Sequence, residues 1–151
     1  MREILFRGKR MDNEEWVYGW HFADTADCSL KKAGKCECPH DGSKYFIVEW
    51  VDDYHEYEER QVIPNTVGQY TGLIDKNGKR IFEGDVCRFH EWSKGEMCWV
   101  GKVHWEHQQF VISGGPNKEC ETMFELCMSR FIPENIEVIG NIHDNPELLE
   151  K

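Results

Sequence analysis

Short apolar runs, each bounded by turn-forming residues, constrain the fold of this chain more than any other feature. Aromatic residues make up 13% of the sequence, and 13 glycines separate the apolar runs. Aromatic and β-branched residues suit a pleated sheet, while glycine permits tight turns, so the pattern favours strands over long helices. Residues 8–14 supply turn chemistry and are predicted to join the first two strands as a hairpin. The predicted strands are residues 3–7, 15–22, 45–51, 86–90, 97–105, 108–112 and 136–142.

The strongest local signal is Asn77-Gly78, which lies between the apolar pairs 73–74 and 81–82. A type I′ turn requires positive φ at both central residues, and Asn and Gly tolerate that conformation best. The sequence therefore predicts a two-residue hairpin tip at 77–78. Residues 83–85 are predicted to form a second turn, since Gly84 lies between two acids.

Two segments near the C-terminus carry helical signals. The apolar positions within residues 121–132 predict a short helical stretch. Asn145 is placed at an N-cap position and Pro146 at the first helical position, which predicts a helical turn at the end of the chain. Between the two segments, Gly140-Asn141 suggests a β-bulge in the last strand.

Length, charge and cysteine usage exclude several classes of protein. The 151 residues are expected to form one domain, with an N-terminal β part at 1–68, an irregular insert at about 23–44, and a second part at 69–151. A formal net charge of −10 argues against bulk attraction to a phosphate backbone. No apolar run is long enough to span a bilayer, and the first residues do not resemble a signal peptide. Seven cysteines, an odd number, then favour reduced thiols in a cytoplasm.

A family resemblance is carried by six segments of the chain, residues 2–8, 69–73, 75–79, 81–86, 136–142 and 145–149. Taken in order, they resemble the YopX family of phage and prophage proteins. The similarity covers the first 20 residues and about 69–149, whereas 23–65 shows no match. The resemblance implies a mostly-β protein with an SH3-like barrel in the second part, encoded on a phage or prophage. It implies no reaction and no catalytic residues.

The irregular insert contains the best candidate ligands for a metal, in the pattern C-x7-C-x-C-x-H. Zinc prefers four thiolate or imidazole ligands in a tetrahedron, and binding it orders an irregular loop. His21 is a substitute for any missing ligand. The alternative is a set of solvent-near thiols without metal, and no cofactor other than zinc is predicted. The candidate ligands are Cys28, Cys36, Cys38 and His40.

A second group of titratable residues surrounds a predicted strand turn. His104 and His107 flank it, and His90 and Glu91 lie one strand away. Two histidines with a carboxylate suit metal binding or general acid–base chemistry. The spacing alone does not make them converge, so exposed hairpin residues without a catalytic role are the favoured interpretation.

Charged residues form one basic and one acidic cluster. The basic cluster lies near the aromatic residues Tyr70, Phe82 and Phe89, as a platform for single-stranded nucleic acid requires. A charged hairpin tip explains the same residues. The acidic strip at 52–60 suits either a basic partner or a solvated strand edge. The members of the basic cluster are Lys76, Lys79, Arg80 and Arg88.

The leading hypothesis is a non-enzymatic accessory protein of a phage or prophage, located in the cytoplasm of the bacterial host and not in a membrane. It is expected to act through a protein partner or by self-association, because small β domains expose grooves and strand edges. The alternative is a nucleic-acid-binding module that uses residues 76–88. An enzyme that uses the histidine group is the third hypothesis.

Overall fold

The computed structural model describes residues 3–24, 44–51, 56–91, 97–115, 124–127 and 135–149. The chain divides into two compact units. We call residues 4–68 the N-terminal unit, and residues 1–3 with 69–151 the C-terminal unit. The described residues of both are mostly β, as the sequence predicts, and each unit contains an antiparallel sheet.

The N-terminal unit contains four antiparallel strands in the order β4-β3-β2-β1. The predicted hairpin of its first two strands is confirmed, with Lys9 opposite Trp16 and Phe6 opposite Gly19. A short 3₁₀ helix, Pro64–Thr66, follows the last strand. The strands are β1 Phe6–Lys9, β2 Trp16–Asp24, β3 Lys44–Val51 and β4 Glu56–Val62.

One face of this sheet forms the core of the N-terminal unit. Val17, Ile47 and Val62 are buried together there, and each comes from a different strand. Side chains alternate between the two faces of a strand, so the neighbours of these three residues point to the opposite face. At Gly19 a Cβ atom would collide with the carbonyl oxygen of Val48, which explains a glycine inside β2.

The C-terminal unit contains a hairpin of β5 and β6, followed by a five-stranded sheet in the order β10-β9-β8-β7-β11. Among the described residues this sheet is open, with β10 and β11 at its edges, and no closed barrel is formed. A 3₁₀ turn, Pro146–Leu149, occupies the predicted helical turn. The strands are β5 Gly68–Ile74, β6 Arg80–Phe82, β7 Asp85–Glu91, β8 Met97–Glu106, β9 Gln109–Gly115, β10 Phe124–Cys127 and β11 Ile136–Asn141.

The core of the C-terminal unit is built from both the hairpin and the sheet. Ile81 of β6 and Leu73 of β5 pack against residues of the sheet. The predicted bulge in β11 is confirmed, although it lies between Val138 and Gly140. The buried residues of the core of the C-terminal unit are Ile81, Cys87, Trp99, Val103, Phe110, Ile112, Ile136 and Val138.

The helical prediction for residues 121–132 is wrong at 124–127, which form β10. This strand pairs with β9 so that Leu126 lies opposite Ile112. A short apolar run is compatible with both the period of a helix and the period of a strand. The segment forms a strand because the edge of β9 offers hydrogen bonds to an extended backbone. Residues 121–123 and 128–132 lie outside the described residues.

The hairpin at Asn77-Gly78 exists, but the predicted two-residue type I′ turn is wrong. Of this pair only Gly78 has a positive φ, at 81°. The Gly78 N–H donates to the Asp75 carbonyl at 3.0 Å, and the Asp75 N–H donates to the Lys79 carbonyl at 2.8 Å. These bonds define a three-residue loop, a type I turn followed by a left-handed residue.

The carboxylate of Asp75 explains why the longer loop forms. Its Oδ1 accepts hydrogen bonds from the N–H groups of Asn77 and Lys79, both at 2.8 Å, and its Oδ2 accepts one from Val138 at 3.0 Å. Asp75 is only 3% exposed. Burial by itself would raise the pKa of Asp75, but the three N–H groups and the charge of Lys79 outweigh it and lower the pKa below the ordinary value.

A type I′ turn does occur elsewhere in the C-terminal unit, between β8 and β9. Glu106 pairs with Gln109, so His107 and Gln108 form a two-residue loop. Their φ angles are 48° and 64°. Both central residues therefore adopt the left-handed conformation without a glycine, which costs free energy that Asn-Gly would not.

The predicted turn at residues 83–85 is confirmed, and its backbone is bonded to three other segments. The Glu83 N–H donates to Gln69 at 2.9 Å, and the Gly84 N–H donates to Val103 at 2.9 Å. The Gly84 carbonyl accepts from the N–H of Ile142 at 2.9 Å. Gly84 has a φ of 83°, which a residue with a side chain rarely adopts.

Candidate interaction surface

The proposed zinc ligands Cys28, Cys36, Cys38 and His40 lie outside the described residues. His21, the substitute ligand, lies on β2 and faces the core of the N-terminal unit, where its ring stacks on Tyr45 with centroids 5.7 Å apart. No residue in the described part of the chain hydrogen-bonds to its Nε2. Burial lowers the pKa of His21, so the imidazole is neutral at physiological pH.

The histidines beside the β8–β9 turn share one carboxylate. Nε2 of His104 lies 2.9 Å from Glu106, and Nδ1 of His107 lies 4.0 Å from the other oxygen of the same residue. His107 is largely exposed. Within the described residues no group of three or more His, Cys, Asp or Glu is arranged to hold a metal. The backbone of His90 and Glu91 belongs to β7, where they pair with Cys98 and Met97.

Three members of the basic cluster lie beside carboxylates. Nζ of Lys76 is 2.8 Å from Glu137, and a guanidinium nitrogen of Arg88 is 3.9 Å from the same carboxylate. A guanidinium nitrogen of Arg80 is 3.2 Å from Glu3. These carboxylates offset much of the positive potential that a nucleic-acid backbone would meet.

The electrostatic effect of this pairing is visible at Glu137. The hydrogen bond from Lys76, with the charges of Lys76 and Arg88, lowers the pKa of Glu137. Lys79, the fourth member, makes no ion pair with any described residue, but its charge contributes to the lowered pKa of Asp75. The guanidinium of Arg80 also lies 5.6 Å from the ring centre of Tyr70. The aromatic neighbour predicted for this cluster is therefore already in contact with one of its cations.

A different surface stands out on the N-terminal unit. The sheet face opposite its core carries large aromatic side chains where polar ones are expected. Tyr18 is 46% exposed, Trp20 is 61% exposed and Tyr57 is 53% exposed. We call these three residues, together with Trp16 of β2, the aromatic face.

Sheet register brings the aromatic face together. Trp16, Tyr18 and Trp20 alternate with core-facing residues along β2, and therefore point to one side. Tyr57 comes from β4, two strands away, yet its ring centre lies 6.2 Å from that of Trp20, with an angle of 32° between the rings. The two rings meet above β3, where Val48 lies opposite Trp20. They form one continuous exposed patch.

Cations of the chain itself occupy one end of the aromatic face. The guanidinium carbon of Arg7 lies 4.6 Å from the ring centre of Trp16, and Nζ of Lys9 lies 5.6 Å from the same ring. Both distances fall within the range of a cation–π interaction. No cation of the described residues lies over Trp20, which is at the opposite end of the face.

One acidic residue of β4 borders the other end. Glu59 pairs with Val48 and lies on the same face as Tyr57, two residues away. Glu56 and Glu58 point to the opposite side, where Glu58 forms an ion pair with Arg60. No cation lies within ion-pair distance of Glu59 in the parts of the chain that the structure describes. This end of the face is thus aromatic and negatively charged.

The aromatic face was not predicted from the sequence. Near it, the sequence indicated only the acidic strip at 52–60, and residues 52–55 of that strip lie outside the described residues. A signal was present in β2, where aromatic residues stand at positions 16, 18 and 20 with the period of a strand. The intervening Val17, Gly19 and His21 are not charged, so the pattern did not show which side faces solvent.

Comparison with known proteins identifies a family and a similar solved structure. The model of the family described as YopX protein matches residues 5–150. Among solved structures, the chain is similar to protein EF1440 from Enterococcus faecalis, with 19% sequence identity, a TM-score of 0.46 and coverage of 99% of each chain. No curated protein matches the chain. No helix in the described residues is long and apolar enough to cross a membrane.

Proposed function

Because this chain belongs to the YopX family, we propose that it is an accessory protein of a phage or prophage that binds a protein partner through the aromatic face. The exposure of Tyr18, Trp20 and Tyr57 on one side of a sheet carries this proposal. Tyrosine and tryptophan are enriched at the centres of protein interfaces, because they bury a large area and lose little side-chain entropy. Contiguous exposed apolar patches on a globular protein often mark interaction sites.

A partner other than a second copy of the chain fits the charge better. Each copy carries a net charge of −10, so two copies repel each other at long range. A neutral or basic partner meets no such repulsion. Self-association is therefore the weaker form of the proposal. The proposed role is binding without catalysis.

The nucleic-acid alternative has less support. Lys76, Arg80 and Arg88 lie beside carboxylates, and only Lys79 has no ion-pair partner among the described residues. Single-stranded nucleic acid binds to a positively charged groove with aromatic platforms, whereas the exposed end of the aromatic face is bordered by Glu59. The SH3-like barrel, the zinc site and the location in the host cytoplasm stay predictions.

Affinity capture with surface variants tests the proposal. Tagged wild-type protein and the double variant Tyr18→Ser/Trp20→Ser are expressed during phage infection or prophage induction, and captured proteins are compared by mass spectrometry after nuclease treatment. Trp105→Ser is the matched control, since Trp105 is 49% exposed on the C-terminal unit. We expect a partner that wild type and control retain and the double variant loses. A partner retained equally by all three proteins, or lost on nuclease treatment, contradicts the proposal.

A further inference from the structure

We propose that the end of the aromatic face formed by Trp20, Tyr57 and Glu59 binds an arginine or lysine side chain from a basic segment of the partner. This inference rests on the proposed function and specifies the chemistry of the partner. It combines two observations, an exposed pair of aromatic rings and a carboxylate on the same face of the sheet. Either one alone would not select a cation.

The aromatic rings supply the first part of the site. The π-face of an aromatic ring carries partial negative charge and attracts a guanidinium or ammonium group within about 6 Å of the ring centre. Trp20 is the most favourable ring type for this contact, and it is the most exposed member of the aromatic face. With Tyr57 beside it at 6.2 Å, the patch is wide enough to contact the aliphatic stem of a long basic side chain as well.

The chain itself shows that this surface accepts cations. At the start of β2, Arg7 and Lys9 both lie over Trp16. Trp16 and Trp20 are on the same face of the same strand, four residues apart. Trp20 has no equivalent partner in the described residues, and its 61% exposure leaves the ring accessible to a cation from another molecule.

Glu59 supplies the second part of the site. It lies across β3 from Trp20, because Trp20 pairs with Val48 and Val48 pairs with Glu59. Strands are spaced by about 4.8 Å, so the backbones of Glu59 and Trp20 are about 10 Å apart. A basic side chain that lies on the rings is then close enough for its charged end to approach the carboxylate. No cation of the described residues pairs with Glu59, and the residue is exposed to solvent.

The net charge of the whole chain also favours a basic partner. A net charge of −10 attracts a basic segment at long range and speeds its encounter. The same field and the carboxylate of Glu59 disfavour phosphate groups at this position. The occupant that fits both the aromatic patch and the electrostatics is therefore a basic peptide segment.

The site is tested with the purified full-length chain and a synthetic Gly–Arg repeat peptide, with a Gly–Gln repeat peptide as the uncharged control. Affinity is measured by isothermal titration calorimetry, and the indole N–H signal of Trp20 is followed by NMR. Glu59→Gln is compared with Glu56→Gln, which removes the same charge from the same strand but from the opposite face. Trp20→Phe and Trp20→Ala are compared at the ring position, and circular dichroism verifies that each variant is folded.

We expect the Gly–Arg peptide to bind, the Gly–Gln peptide not to bind, and the Trp20 indole signal to shift. Glu59→Gln should weaken binding about fivefold and Glu56→Gln less than about twofold, because only Glu59 shares the aromatic face. Trp20→Ala should weaken binding about tenfold, and Trp20→Phe should weaken it less.

Three results would overturn the inference. Equal weakening by the two glutamate variants means that only net charge attracts the peptide. Binding of oligothymidylate at the Trp20 signal in place of the peptide means that the face binds nucleic acid. If the peptide does not bind while cellular capture still identifies a partner that depends on Tyr18 and Trp20, the proposed function stands and the cation site is rejected.

Discussion

Replacing Asp75 should destabilise the C-terminal unit more than its position in a surface hairpin suggests. The carboxylate accepts three backbone hydrogen bonds, two within the β5–β6 loop and one from Val138 of β11. The N–H of Lys76 also donates to the Ile136 carbonyl at 2.9 Å, so the loop is attached to β11 at two points. Loss of Asp75 therefore disturbs a contact between distant parts of the sequence.

The size of the effect follows from the three acceptor contacts. A hydrogen bond to a charged group contributes about 1.5–3 kcal/mol, and a buried N–H left without an acceptor costs about 1–3 kcal/mol. In Asp75→Asn the amide oxygen still accepts from the loop, but the amide NH₂ group faces the N–H of Val138. We expect Asp75→Asn to lower the free energy of unfolding by about 2–3 kcal/mol, and Asp75→Ala to lower it slightly more. The total free energy of unfolding of a domain is about 5–15 kcal/mol.

Urea denaturation followed by circular dichroism measures this effect, with Asp12→Asn as the control. Asp12 is also in a hairpin turn, but its carboxylate is exposed and pairs with Arg10, so its neutralisation should cost clearly less stability than that of Asp75. Equal effects of the two substitutions would refute the reasoning, because burial and the bond to Val138 would then contribute nothing.

The pH dependence gives an independent measurement of the same carboxylate. The pKa of Asp75 is lower in the folded chain than the ordinary value of 3.8. A lowered folded pKa means that the ionised carboxylate stabilises the fold above pH 3.8, and that this stability is lost as the pH falls through the folded pKa. The stability difference between wild type and Asp75→Asn should therefore be largest at neutral pH and decrease in acid. A difference that is constant with pH contradicts this assignment.

Further predictions concern the turns, nucleic acid and metal. Replacing His107 and Gln108 by Asn and Gly should stabilise the fold by about 1–2 kcal/mol, because it removes the strain of two left-handed residues that have side chains. Gly78→Ala should destabilise the fold by about 1 kcal/mol, because alanine disfavours the positive φ of this position. Calorimetry measures both effects, and unchanged melting temperatures would argue against these turn conformations. DNA and RNA should bind no more tightly than about 10⁻⁵ M at physiological salt by fluorescence anisotropy, and tight binding that is lost on neutralising Lys79 and Arg80 would restore the nucleic-acid hypothesis. Protein purified without chelator should contain about one zinc ion by elemental analysis, and a metal-free protein whose three thiols are all alkylated in the native state would reject the site. The residues predicted to hold the zinc are Cys28, Cys36, Cys38 and His40.

The strands could be predicted from the sequence where local chemistry and tertiary structure agree. Apolar runs bounded by glycine indicated β7, β8, β9 and β11, and the boundaries differ from the predictions by a few residues. The turn at Asn77-Gly78 shows the limit of local reasoning. Its residues favour a type I′ turn, but the carboxylate of Asp75 binds the loop N–H groups and a distant N–H of β11, so a tertiary contact selects the longer loop.

The candidate surface could be predicted only in part, because strand periodicity does not identify the solvent side when neither side is charged. In β2 the small and medium-sized residues Val17 and Gly19 face the core, while the larger Trp16 and Trp20 face outward. Size and hydrophobicity would suggest the reverse. The register that brings Tyr57 to Trp20 depends on pairing between β3 and β4, which periodicity alone does not show.

The hydrogen bonds of the Glu83–Gly84 turn have a consequence for how this chain tolerates change. Turns at a protein surface usually exchange their amide hydrogens quickly and accept inserted residues. Here the Gly84 amide is bonded to Val103 and its carbonyl to Ile142, so the turn opens only when the surrounding strands separate. Its amide should exchange as slowly as those of the central strands, and an insertion there should be tolerated far less well than one between the exposed residues Asp12 and Asn13. Tags, fusions or labels should therefore be inserted between Asp12 and Asn13 and not in the Glu83–Gly84 turn.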